Sequence, residues 1–126
     1  MILIDSSVWI GYFRSGENAD LLQILINFDL VCTNEIILSE LIPPLQHRKQ
    51  TILIESLEAL PCLPYPIFWE GIRALQLLNL QNGINKVGLP DLMITQQCIN
   101  DNIELWSLDK HFQLMATHTS LKLMEF

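Results

Sequence analysis

Residues 1–10, MILIDSSVWI, decide the fold class. Met1 to Ile4 run apolar without interruption, which suits a short strand buried on both faces of a parallel sheet and not the alternating pattern of a half-exposed one. Asp5 ends the run, and Ser6 or Ser7 is placed to cap a short helix through Val8 to Phe13. A strand that stops at an acid and passes straight into a helix opens an alternating αβ chain.

The rest of the sequence continues that alternation. Ser15-Gly16 punctuates, and Leu21, Leu22, Leu25, Ile26 and Phe28 repeat at helical spacing within a helix over 17–28. A second strand is expected at 30–32, then a helix capped by Thr33 or Asn34 and stopped by Pro43-Pro44, with Glu40 near its end. An amphipathic helix over 46–60, a short strand over 62–65 and a helix over 67–80 follow, and the segment to Gly88 reads as a loop. Pro90 suits the first turn of a helix to about Asn102, setting Asp91 at its positive end. Strands at 103–106 and 121–126 flank a short helix around Phe112. The expectation is one α/β domain over 1–126, with a mostly parallel sheet of four to five strands covered by helices on both faces.

Bulk composition narrows the function classes. The chain has 126 residues, half of them apolar and 17 % charged, which is the profile of a folding chain and not a disordered one. No apolar stretch approaches the ~20 residues that span a bilayer, and MILID does not open like a secretory signal, so a cytoplasmic location is expected. Cys32, Cys62 and Cys98 are scattered among apolar neighbours, without zinc spacing, and read as buried thiols. Trp9, Tyr12, Phe13 and Trp69 read as core packing. The net charge of −7 argues against a general grip on nucleic acid. Arg48-Lys49 is the one basic pair.

The acids carry the chemistry. In open parallel sheets, ligands gather outside the carboxyl ends of the strands. Asp5 and Asp109 follow two such ends, Asp91 opens the helix that leads into the second of them, and Glu40 interrupts the apolar stretch IILSELI, where a charge has no packing use. Taken singly, each has an ordinary reading as a turn residue, a helix cap or a solvated end. Together, carboxylates in one crevice require a cation, and oxygen ligands select hard ions such as Mg²⁺ or Mn²⁺. Such an ion activates water against a phosphodiester without a nucleophilic side chain.

Four segments resemble the PIN domain of the VapC toxin group in order and spacing: MILIDSSVWI, TNEIILSELI, VGLPDLMITQQCIN and IELWSLDKHF. The resemblance spans essentially the whole chain and implies a PIN-like three-layer α/β/α sandwich. Carried over residue by residue, Asp5 and Asp91 would be the principal metal ligands, and Glu40 and Asp109 would complete the site through the metal, its waters or water activation. Ser6 and Ser107 match hydroxyl positions that orient ligands. The resemblance implies a Mg²⁺- or Mn²⁺-dependent endoribonuclease, the toxin of a toxin-antitoxin pair, acting on tRNA or ribosomal RNA, homodimeric and blocked by a small antitoxin protein. Antitoxins of this kind often place an Arg among the acids, which the electrostatics favour. Where the family often has a further Asp, this chain has His111, and Pro43-Pro44 stands where a small residue is usual.

Lys86 and Lys110 lie near the loops of this site and are candidate RNA contacts. His47, His111 and His118 are scattered and read as surface or partly buried side chains. Two other functions compete. A non-catalytic PIN-like protein that binds RNA or a partner would have no reason to keep four mutually repelling acids. A phospho-receiver domain would need paired acids after the first strand and a mid-chain Asp, where this chain has Ser6-Ser7 and no suitable Asp.

Overall fold

A computed structural model describes residues 1–125. Its strands are β1 (Ile2–Ile4), β2 (Val31–Cys32), β3 (Glu104–Trp106) and β4 (Lys122–Leu123), paired all-parallel in the order β2-β1-β3-β4. Helices α1 (Ser6–Ser15) and α2 (Ala19–Asn27) join β1 to β2. Between β2 and β3 come α3 (Glu35–His47), α4 (Thr51–Glu58), α5 (Trp69–Gln81) and α6 (Leu89–Asn100), and α7 (Lys110–Ala116) leads to β4. None of these helices is long and apolar enough to cross a membrane.

β1 is the organising strand. Leu3 faces Cys32 on one neighbour and Leu105 on the other, and every β1 residue is buried. A strand covered on both faces needs no polar alternation, which is why MILI reads as a continuous apolar run. The chain leaves β1 toward one edge of the sheet and leaves β3 toward the other. Right-handed crossovers stepping in opposite directions set their helices on opposite faces, giving the α/β/α layering.

Several boundaries differ from expectation. Pro43-Pro44 does not stop α3, which runs through both prolines to His47. The missing N–H groups free the carbonyls of Ser39 and Glu40, but Ser39, Glu40, Pro43 and Pro44 are all exposed, so water satisfies what the prolines leave. Ile37, Leu38, Leu41 and Leu45 meanwhile hold the opposite stripe in the core. Glu40 is therefore mid-helix. The following helix is shorter than expected, because α3 takes residues to 47 and Lys49 turns with φ at 58°.

The expected strand at 62–65 is reduced to one bridge, Thr33 with Cys62. Thr33 donates to the Pro61 carbonyl at 2.9 Å and Leu63 to the Thr33 carbonyl at 2.8 Å, and the prolines at 61, 64 and 66 remove the donors a longer ladder needs. That position leaves Cys62 exposed, unlike the buried Cys32 and Cys98. Burial pushes the Cys32 thiol up to about 11 and that of Cys98 higher still. Trp69, expected in the core, is 49 % exposed at the start of α5, whereas Trp9 is buried and stacks on Phe13. The last strand comprises only Lys122–Leu123, and Phe126 lies outside the described residues.

Candidate metal centre

The site forms where β1 and β3 end together. Ile4 and Trp106 are register partners, and the Asp5 N–H donates to the Trp106 carbonyl at 2.9 Å. From this edge the chain departs in opposite directions along the sheet, so neither crossover covers the gap between the two strands.

Asp5 stands at the N-cap of α1 but makes no side-chain cap hydrogen bond. Its side chain is turned instead toward β3 and is nearly fully buried. Ser7 Oγ donates to Asp5 Oδ2 at 2.7 Å and Ser107 Oγ donates to the same oxygen at 2.8 Å. Each hydroxyl is held in turn by a backbone amide, Leu108 N–H on Ser7 and Asp109 N–H on Ser107, both at 3.0 Å. The turn after β3 thus fixes Asp5 through two relayed hydrogen bonds. Oδ1 receives none from the described residues.

Asp109 is the N-cap of α7, accepting the His111 N–H on Oδ1 at 2.9 Å. The ordinary capping reading of this acid therefore holds, and its second oxygen remains available. Asp91 projects from the first turn of α6. His111 Nδ1 lies 3.6 Å from Asp109 Oδ1 and 3.8 Å from Asp91 Oδ2, so the imidazole spans the two acids. One ligand atom from each of Asp91, Asp109 and His111 lies within 4.8 Å of the others.

The acids feel one another. Burial, then the charges of Asp109 and Asp5, push Asp91 up to about 6, with His111 pulling the other way. Glu40 is also raised, by partial desolvation first and then by Asp5 and Asp91, although its side chain still reaches solvent. Asp5, Glu40, Asp91 and Asp109 come from the turn after β1, α3, α6 and the turn after β3, yet form one electrostatic group.

Residues 2–117 match the PIN domain family. The chain belongs to the PIN-domain family. Solved structures agree on the fold. VapBC2 from Rickettsia felis, bound to a DNA fragment from its promoter, superposes with a TM-score of 0.79 at 18 % identity, covering 100 % of this chain and 99 % of that one. DNA-bound VapBC from Salmonella typhimurium gives 0.76 at 15 % identity, covering 98 % and 96 %. FitAcB from Neisseria gonorrhoeae gives 0.71 at 16 % identity, covering 99 % and 97 %. Among curated protein sequences, none matches the chain.

This PIN domain joins Asp5, Ser107 and Asp109 by hydrogen bonds and sets Asp91 beside Asp109 and His111, whereas Glu40 lines a neighbouring cleft and meets the group through the charges of Asp5 and Asp91. Ser6 is not the hydroxyl on Asp5; Ser7 is, because a residue at the second position of α1 faces back across the strand ends. Lys86 has φ at 67° in the loop before α6, and Lys110 opens α7 beside Asp109; both are exposed with no protein partner among the described residues. His111, expected as a surface or partly buried side chain, is partly buried and stands beside both Asp91 and Asp109. Its signal was available in the spacing of Asp109-Lys110-His111, since a residue two places after an N-cap returns beside the capping carboxylate. A divalent ion fits this PIN site on its donor chemistry: buried and half-buried carboxylates, of which Asp91 and Glu40 are raised in part by the charges of their neighbours, with an imidazole nitrogen between Asp91 and Asp109.

Proposed function

We propose that the chain is a divalent-metal-dependent endoribonuclease that hydrolyses RNA phosphodiester bonds, and that it is the toxin of a toxin-antitoxin pair. The observation that carries this reading is the gathering of Asp91, Asp109 and His111, with ligand atoms within 4.8 Å of one another, at the end of β3 where Ser107 also holds Asp5, in a PIN-family chain. Repelling acids gathered in a crevice destabilise the empty protein, a cost that catalysis at a cation explains and packing does not.

Asp5 and Asp91 would hold the ion, Mg²⁺ or Mn²⁺, with Asp109 and Glu40 completing the site. A bound ion there supplies charge neutralisation and acidifies a water for attack on phosphorus. Asp5 is suited to the task because Ser7 and Ser107 occupy Oδ2 and leave Oδ1 without a protein hydrogen bond among the described residues. Glu40, with its carboxyl held above the ordinary range and still open to solvent, is the group to accept a proton from the attacking water. Lys86 and Lys110 stand ready for substrate phosphates.

The pairing with an antitoxin is carried over from the family and from the structural relatives, which are named VapBC and FitAcB. In the same way we assign a homodimer, a small antitoxin protein that covers the acids, and structured RNA of the tRNA or ribosomal class as substrate.

The test is cleavage of a small-RNA pool with Mg²⁺, Mn²⁺ or EDTA. Discrete metal-dependent cuts are expected, falling on the order of a hundredfold or more in Asp5→Asn and Asp91→Asn, with growth inhibition lost in parallel. Full activity in either variant, or no cutting by folded, partner-free protein in any metal, overturns the reading.

A further inference from the structure

A second feature adjoins the acids. Between α1 and α3 lies a cleft of about 430 Å³, within the size range that receives a nucleotide-sized ligand. Arg14 and Arg48 line it, with Ile10, Phe13 and Pro44 as an apolar floor and Glu40 at one side. Glu40, which the nuclease reading assigns to the metal centre, is part of the same lining.

The two arginines are unspent. The chain has 14 acids and 7 Lys and Arg residues, yet neither Arg14 nor Arg48 makes an ion pair or side-chain hydrogen bond among the described residues. Arg14 is in the last turn of α1 and Arg48 is the C-cap of α3, so helix dipoles account for a positive charge at each place. Dipoles do not account for both side chains lining one cleft that also holds Phe13 and Pro44. An Arg fork matches phosphate, and an apolar floor takes a base or ribose, which together describe a nucleotide strand. A net negative chain that works on RNA needs its few cations where the strand must lie.

We propose that this cleft holds the RNA strand next to the phosphodiester at the metal centre, with Arg14 and Arg48 on its phosphates. The proposal rests on the nuclease reading and names the subsite that positions its substrate. It commits to nucleic acid and not to an acidic partner protein because two guanidiniums beside an aromatic and proline floor match phosphate together with a base or ribose.

The experiment reads binding apart from cutting: fluorescence anisotropy of a labelled, mixed-sequence single-stranded RNA, with Ca²⁺ in place of Mg²⁺. Arg14→Gln/Arg48→Gln is expected to bind about tenfold or more weakly. Its salt dependence should flatten by about 1.4 in log–log slope, the value for two lost phosphate contacts on a single strand. Arg73→Gln, on α5, should change neither quantity, and Arg14→Lys/Arg48→Lys should recover most of the slope while confirming that the positions tolerate substitution. Unchanged affinity and slope in the Gln pair overturn the proposal and leave the cleft to a protein partner. If the slope falls but RNA is never cut in any metal, the nuclease reading fails and the RNA cleft stands. If cutting occurs with the slope unchanged, only the cleft fails.

Discussion

Asp91 is held at about 6 in the folded protein against 3.8 for the ordinary side chain. Between those values the folded state binds more protons than the unfolded one, so stability is lost as pH rises, opposite to the usual Asp that gains a cationic partner. The metal-free protein should lose on the order of 2–3 kcal/mol from this group between pH 4 and pH 7. Urea unfolding of wild type and Asp91→Asn at both ends of that window measures it: the advantage of the Asn variant should grow with pH, and a constant difference would remove the assignment. His111 bears on the ion's identity. An imidazole 3.6 Å and 3.8 Å from the two acids offers nitrogen where Mg²⁺ prefers oxygen, so Mn²⁺ should bind with a relative advantage. In His111→Asp the ratio of Mn²⁺ to Mg²⁺ affinity, read by titration calorimetry, should fall about tenfold. A ratio unmoved by the substitution would place His111 outside the coordination sphere.

Helix α6 does more than present Asp91. Gln97 accepts from Asn34 Nδ2 at 2.6 Å and donates to the Pro64 carbonyl at 3.3 Å, while Gln96 bonds Tyr65 and the Phe68 carbonyl. These two amides tie the irregular 61–68 segment, which forms only a single bridge, to a helix of the site. Asn34 in turn caps α3 through Ile37 N–H at 2.9 Å, so the elements bearing Glu40 and Asp91 are joined by one buried network. Gly71 lets α5 approach it: a Cβ there would lie 2.4 Å from Gln96 Nε2 and 2.7 Å from Phe68 Cδ1. Gly71→Ala gains up to about 1 kcal/mol of helix propensity but must displace an amide that is already bonded, at about 1–3 kcal/mol. Net destabilisation of about 1–2 kcal/mol is expected by chemical denaturation, and a stabilised variant would show that Gln96 moves freely. Element identity was legible in sequence because periodicity reports buried faces: β1, α2, α5 and α6 follow their apolar patterns closely. What escaped was set by solvent and by neighbours. A helix can run through Pro43-Pro44 where the carbonyls they free reach solvent and its other face is held in the core, and 62–65 is a strand only if its prolines face away from the ladder; neither condition is written locally.

At the scale of the whole molecule, the crevice was legible because topology needs only strand ends: a parallel sheet whose order reverses between β1 and β3 gathers whatever follows those strands, and here that is Asp5, Ser107 and Asp109. Which hydroxyl would reach Asp5 depended on side-chain directions that spacing does not fix; spacing sets the imidazole beside Asp109, but not its approach to Asp91. Charge is where the whole chain and the site can be separated. The protein carries −7 overall, and no Lys or Arg pairs with an Asp or Glu among the described residues, so self-repulsion is spread over the surface as well as concentrated in the crevice. Monovalent salt screens both, weakly and without a preferred position. A divalent ion at a concentration too low to screen acts only by binding the folded state, contributing about 2.7 kcal/mol at a hundred times Kd. For a chain of this length that is a Tm rise of about 10 °C. Thermal melts should therefore show two responses in wild type, a shallow one to NaCl and a saturating one to Mn²⁺ or Mg²⁺. Asp91→Asn should keep the first and lose the second while starting from a higher metal-free Tm, because it removes the charge that the ion exists to balance. A saturating divalent response that survives in Asp91→Asn would mean that the ion binds elsewhere on the acidic surface and that the crevice acids are not its ligands.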